Sequence, residues 1–228
     1  MNKRERLALQ VAARIRESMT KMHGGRPSLG LPETAWSQSV RLVRQIDKAA
    51  QRSWHQAARR LRVELSYSIG TCRRGLEQVG WELEGHTTRQ ELPTQRQLFE
   101  ELIALDGEFD DVRLDRKDTL SVVTEPIILE DVDLGRFEIA LDVDWDPRRS
   151  WGSYEVIALD PSPAASNSET THPHVEANQL CEGEGRSAIR RALREGRLLD
   201  FFVLVRQILQ TYNAASAYVS LESWSGVQ

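Results

Sequence analysis

Two cysteines in 228 residues, Cys72 and Cys181, are too few for a disulfide framework or a thiolate metal cage. No apolar run approaches the roughly 20 residues that a membrane span needs. The longest, Leu198 to Leu209, is broken by Asp200, Arg206 and Gln207. Met1 to Lys21 carries charge throughout and lacks the apolar core of a signal peptide. These absences predict a cytoplasmic protein with free thiols and no membrane partner. A dense Lys/Arg block is also missing, so nucleic acid is not an expected partner. What remains is ordinary for a folded chain: 40% hydrophobic residues, 28% charged, and a mean hydropathy of −0.48.

The net charge of −4 conceals an asymmetry. Residues 1–92 hold 17 Lys or Arg against 9 Asp or Glu, whereas residues 93–228 hold 13 against 25. A basic front half could touch nucleic acid or an anionic membrane surface. Because its charges are spread along helical faces, the simpler expectation is a helical arm packed on or near its own acidic domain.

Three regions follow from pattern and punctuation. In residues 1–34, Leu7, Val11, Ile15 and Met19 are spaced four apart and predict a helix. The segment His23 to Pro32, with three Gly and two Pro, reads as a linker. Residues 35–92 carry the clearest period in the chain. Val43, Ile46, Ala50, Trp54, Ala57, Leu61, Leu65, Ile69, Cys72, Leu76, Val79 and Leu83 are separated by threes and fours, which predicts one long amphipathic helix or two in line. Gly70, Gly75 and Gly80 mark its second half as the place to bend. Trp54, Trp81 and Cys72 are expected to pack on that stripe. The stripe calls for a partner: the domain that follows, a second copy, or another protein.

The third region, 93–228, changes character. Gln95 to Leu105 predicts a short helix, and Glu108–Leu114, Thr119–Leu129, Gly135–Val143 and Ser153–Leu159 read as strands joined by short polar connections. Pro126 implies an edge or a bulge in the second strand. Asp160 to Gln179 lacks regular pattern, and a loop of that length in a compact domain points to function. Helices at Ser187–Glu195 and Leu198–Tyr212 and an extended Ala217–Trp224 complete an α+β arrangement: a four-stranded antiparallel meander packed with helices, preceded by a long helical extension.

Cys181 ends the irregular loop, next to Gly183 and Gly185 and with His172 and His174 upstream. Several chemistries fit such a cysteine. A zinc site needs about four ligands, and these residues offer three at most. A Cys-His hydrolase needs an activated thiolate, whereas Glu176, Glu182 and Glu184 crowd this thiol and oppose ionisation. A loop cysteine that merely packs stays open as well.

The order of elements, with His172-Pro173-His174-Val175 leading to Leu180-Cys181, resembles the ubiquitin-conjugating enzymes over roughly Pro93 to Trp224, and in particular their divergent bacterial members. The resemblance implies a UBC-like domain in which Cys181 carries a ubiquitin-like protein as a thioester and transfers it to an amine of a protein substrate, with no cofactor or metal. It implies an adenylating activating enzyme as a further partner. A thiol suits the role because covalent capture divides one hard step into two. A strongly depressed pKa is not required for thiol exchange. His174 stands where the family has Asn and, with Asn178, is the candidate oxyanion donor; His172 and Pro173 are expected to hold the loop. The family's Tyr-Pro…Pro-Pro run is reduced to Asp160-Pro161-Ser162-Pro163. The alternative is an inactive UBC-like adaptor that binds a ubiquitin-like protein without transferring it.

Overall fold

The computed structural model describes residues 2–23, 30–87, 91–114, 119–145, 153–214 and 217–224. They form two compact units, one of residues 1–25 with 91–228 and the other of residues 26–90. The expected connections at 115–118 and 146–150 lie outside the described residues, as does most of the expected linker before Pro32.

The division corrects the expected one. Helix α1 (Lys3–His23) does not stand apart with the helical extension; it is part of the larger unit. Its Ala8, Val11, Ala12, Ile15 and Met19 are buried in the same core as Leu98, Leu102 and Leu105 of helix α4 (Gln95–Glu108). Charge follows packing: Arg4 pairs with Asp106 and donates to the Val112 carbonyl at 3.1 Å, and Arg14 pairs with Asp144 at 3.3 Å. Within the larger unit, basic α1 thus meets an acidic domain. The period-four spacing identified the helix; nothing in residues 1–23 reveals that its partner lies beyond residue 91.

Helix α4 begins where the sequence places it because Thr94 and Gln97 form a reciprocal capping box, satisfying two otherwise orphaned N–H groups. The sheet is antiparallel, in the order β1 (Asp111–Leu114), β2 (Thr119–Val123), β5 (Phe137–Asp142), β6 (Tyr154–Ala158). The four-stranded meander is therefore as expected. Strand β2 stops three residues before Pro126, and a two-residue hairpin of β3 (Ile128–Leu129) and β4 (Val132–Asp133) occupies what read as strand end and connection. Its turn residues Glu130 and Asp131 both have positive φ, as a tight hairpin demands. Phe137, Ile139 and Leu141 point from β5 into the core, where they meet the apolar side of helix α6 (Leu198–Leu209), including the fully buried Phe201, Phe202, Val205 and Leu209.

Two other expectations change. The stretch from Asp160 to Gln179 is not wholly irregular: β7 (Thr170–His172), β8 (Val175–Glu176) and β9 (Gln179–Leu180) form a small antiparallel sheet. Such short strands leave no hydrophobic period for a sequence reading to find. Near the C-terminus, Leu221–Trp224 is a 3-10 turn and not an extended segment. The turn forms where Leu221 and Trp224 are both buried in the core and the Trp224 indole N–H reaches the Ser162 carbonyl at 2.7 Å.

Helix α5 (Arg186–Glu195) ends at Gly196, whose φ of +69° suits glycine. A Cβ there would lie 2.7 Å from Pro93 Cγ and 2.9 Å from Leu98 Cδ2. Gly196→Ala is therefore expected to lose about 2 kcal/mol through combined strain and overpacking, read as a lowered midpoint in urea unfolding.

In the second unit, α2 (Glu33–Gln51) and α3 (His55–Thr87) form a hairpin, correcting the helices in line. The break falls at Ser53, with φ +56°, whereas α3 runs straight through Gly70, Gly75 and Gly80. Gly75 is needed for a different reason: a Cβ would sit 2.7 Å from Pro32 Cβ. The seam is made of small groups. Ser68 donates to the Ala35 carbonyl, Ser39 bonds both the same carbonyl and Ser68, and the buried Cys72 lies 3.8 Å from the Ser39 hydroxyl. Much of the predicted apolar stripe is exposed instead, Val43, Trp54, Ile69 and Leu76 among it, so Trp54 does not pack as expected. The Arg52 guanidinium lies 5.0 Å above its ring. The Trp81 side chain is outside what is described.

Candidate functional site

The segment from Thr170 to Cys181 builds the site. Ala177 and Asn178, both with positive φ, turn β8 back along β9, and Val175 faces Leu180 across the pair. The Asn178 carbonyl accepts the Val156 N–H at 2.9 Å and ties this hairpin to strand β6. One residue past β9, the Cys181 N–H donates to the His174 carbonyl at 2.7 Å, adding a final rung to the ladder. Cys181 and His174 are thus brought together through their main chains. Asn178 is not: it is exposed at the turn end, three residues from Cys181 along an extended strand, or about 10 Å. As a donor to a group on Cys181 it is displaced by the hairpin geometry.

His172 is fully buried and uses both ring nitrogens. Nε2 donates to the Leu209 carbonyl at 2.9 Å, and Nδ1 accepts the His174 N–H at 3.0 Å, which fixes the neutral Nε2–H tautomer. Burial, opposed by the Leu209 bond, lowers its pKa from 6.5 to about 4. Such a ring can neither hold a thiolate nor ligate a metal; it staples the loop to the end of α6, and its edge packs on Phe137 with centroids 5.7 Å apart. Pro173 is buried and its carbonyl accepts the Tyr218 N–H at 2.8 Å. The His174 ring, 2% exposed, accepts the Asn213 N–H at 3.2 Å through Nε2, so the neutral ring carries its proton on Nδ1.

Cys181 itself is partly exposed, whereas Cys72 is buried in the other unit. It precedes a 3-10 turn (Gly183–Gly185) that runs directly into α5, so the chain after Cys181 begins a helical segment whose first main-chain N–H groups lack intrahelical acceptors.

The crowding carboxylates are largely occupied. Glu182 accepts the Tyr154 hydroxyl at 2.9 Å and pairs with Arg186 at 3.5 Å, and Glu176 accepts the Asn167 amide at 2.7 Å. Burial, and next the Glu182 charge, hold the Tyr154 phenol well above its ordinary pKa, so it remains a donor. Tyr154 and Asn167 are supporting residues that sequence reasoning missed. Arg186, at i+4 from Glu182, carried a readable helical-spacing signal; Tyr154, 28 positions away, carried none.

Among the described residues, no group of three or more His, Cys, Asp or Glu is arranged to hold a metal ion, and no helix is long and apolar enough to cross a membrane. No protein-family model, curated protein or solved structure matches the chain.

Proposed function

We propose that the protein is a ubiquitin-conjugating-like enzyme in which Cys181 carries a ubiquitin-like protein as a thioester. The observation that carries the reading is the Cys181 N–H bond to the His174 carbonyl: it ties the main chain of a partly exposed cysteine to the His172-Pro173-His174 segment, after an antiparallel meander and ahead of two helices. In this reading the Cys181 thiolate attacks the C-terminal carbonyl held as a thioester by an adenylating activating enzyme. One C–S bond forms, the other breaks, and the activating enzyme's thiolate leaves. An amine of the protein substrate later attacks the same carbonyl, forming a C–N bond and releasing Cys181.

The residues divide the work by position. His172 and Pro173 hold the loop. His174 is a positioning residue through its carbonyl. Main-chain N–H groups at the helical end after Cys181 are better placed than Asn178 to meet the oxyanion. Tyr154 and Arg186 occupy Glu182, the carboxylate adjacent to Cys181 in sequence, and so weaken its repulsion of a thiolate.

One observation favours the inactive adaptor as a second reading. The ring standing where the family has Asn is buried and spends Nε2 as an acceptor. A single assay separates the two. With cognate activating enzyme, ATP and ubiquitin-like protein, the enzyme gives an adduct cleaved by excess thiol. The adaptor gives stable binding and no adduct. Absence of both would overturn the family reading altogether.

A further inference from the structure

Among the described residues, thirteen large hydrophobic side chains are exposed, and ten of them lie between Leu31 and Leu83. The excess is not scattered. Trp36, Val40 and Val43 follow one another on α2 at i, i+4 and i+7, and Ile69 and Leu76 are one heptad apart on α3. The opposite side of the hairpin is identified by shallow grooves that Gln38, Arg41 and Gln45 share with Glu64, and Gln38 with Thr71. The helical repeat then turns both apolar rows toward the same, remaining face. Among the described residues, the buried part of the hairpin is mostly small, Ser39, Ala49, Ala58, Ser68 and Cys72 beside Leu42, while Ile46, Leu61, Leu65 and Val79 are half-buried. Such a seam buries little for a two-helix unit, and this face, with Trp36, Val40, Val43, Ile69 and Leu76, holds five of the ten exposed apolar side chains and offers further surface to stabilise it.

The charges that end the two rows say what fits there. On α2 the row Trp36, Val40, Val43 continues to Asp47; on α3 the row Leu76, Ile69 continues one heptad earlier to Arg62. Ser39 opposite Ser68 and Pro32 opposite Gly75 fix an antiparallel register that sets Asp47 level with Arg62. We propose that this face pairs with the same face of a second copy of the chain, the two hairpins forming an antiparallel four-helix bundle about a twofold axis parallel to the helices. That operation stacks α2 of each protomer on α3 of the other, apolar row on apolar row, and brings each Asp47 to the other protomer's Arg62. A 19-residue helix is about 28 Å long, and two side by side span about 20 Å. This footprint, about 560 Å², is close to the roughly 600 Å² that each partner gives at the small end of stable interfaces.

The test is sedimentation of the full-length chain across a concentration series. The wild type is expected to be a dimer, and Val43→Glu with Ile69→Glu to weaken it by about 100-fold or more, with the far-ultraviolet helical signal retained. Asp47→Arg alone and Arg62→Glu alone are each expected to weaken the dimer by about tenfold at low salt, and the two together to restore it. A monomeric wild type overturns the proposal. Hydrogen-exchange protection of Val43 and Ile69 in that monomer would give the face to the chain's own domain, and lack of protection would give it to a different protein. A dimer indifferent to Val43→Glu with Ile69→Glu, or a charge swap that fails to restore association, overturns it equally.

Discussion

Cys181→Ala is expected to abolish the thiol-cleavable adduct with a ubiquitin-like protein, a loss on the order of 10³-fold or more, because no other group supplies the bond-forming sulfur. Cys181→Ser should be slower to load yet accumulate a product that resists excess thiol, since an oxygen ester is the less reactive acyl carrier. Cys72→Ala is the control. Its sulfur is buried beside Ser39 in the hairpin, in a different unit from Cys181, and its loss should leave the adduct intact. Gel mobility with and without reductant reads all three. An adduct that persists in Cys181→Ala would remove the cysteine from the reaction and the function with it.

Acid should loosen the same loop through His172. In the unfolded chain this imidazole protonates with a pKa of 6.5; in the fold burial holds it at about 4. Between these values the unfolded state binds more protons, so the stability that the neutral ring contributes is fully present above pH 6.5. It falls as the pH drops and levels off below about pH 4. The gap corresponds to about 3 kcal/mol. Urea unfolding at pH 7 and pH 4.5 should show most of it. His172→Gln keeps one N–H donor for the Leu209 carbonyl and one acceptor for the His174 N–H but does not titrate; its stability should depend less steeply on pH in this window. An equal slope in both proteins would mean that other groups govern the acid response.

What was legible in the sequence was what period or punctuation encodes. The alternation of Phe137, Ile139 and Leu141 marked β5 and its inward face, and the amphipathic run from Gln95 to Leu105 marked α4. The contrast between Cys72 and Cys181 was also readable, because one sits within a helical period and the other ends a loop. Unreadable were features that depend on partners distant in sequence. The three- and four-residue spacing from Val43 to Leu83 continues across Ser53, so a reversal of direction left no trace in it. The stripe read as a packing face is largely outward, because small residues beside it take the seam. At the site, the His-Pro-His and Leu-Cys pairs marked the segment, but not that the His174 carbonyl would accept the Cys181 N–H. They did not foretell that the β8–β9 hairpin would carry Asn178 away, since a two-residue turn is decided by the backbone angles of Ala177 and Asn178.

The residence of α1 in the larger unit bears on how the chain is born. Ile15 must wait for Leu98, about 80 residues later, before its core exists. At the usual pace of synthesis, about 5–20 residues per second, α1 spends about 4–16 s with its apolar side uncovered. During that interval the hairpin can form from contacts within residues 26–90, ahead of the unit whose two chain segments flank it. Helix α6 completes the core that α1 and α4 begin, so a chain stalled before residue 198 presents an unclosed sheet to whatever surveys nascent proteins.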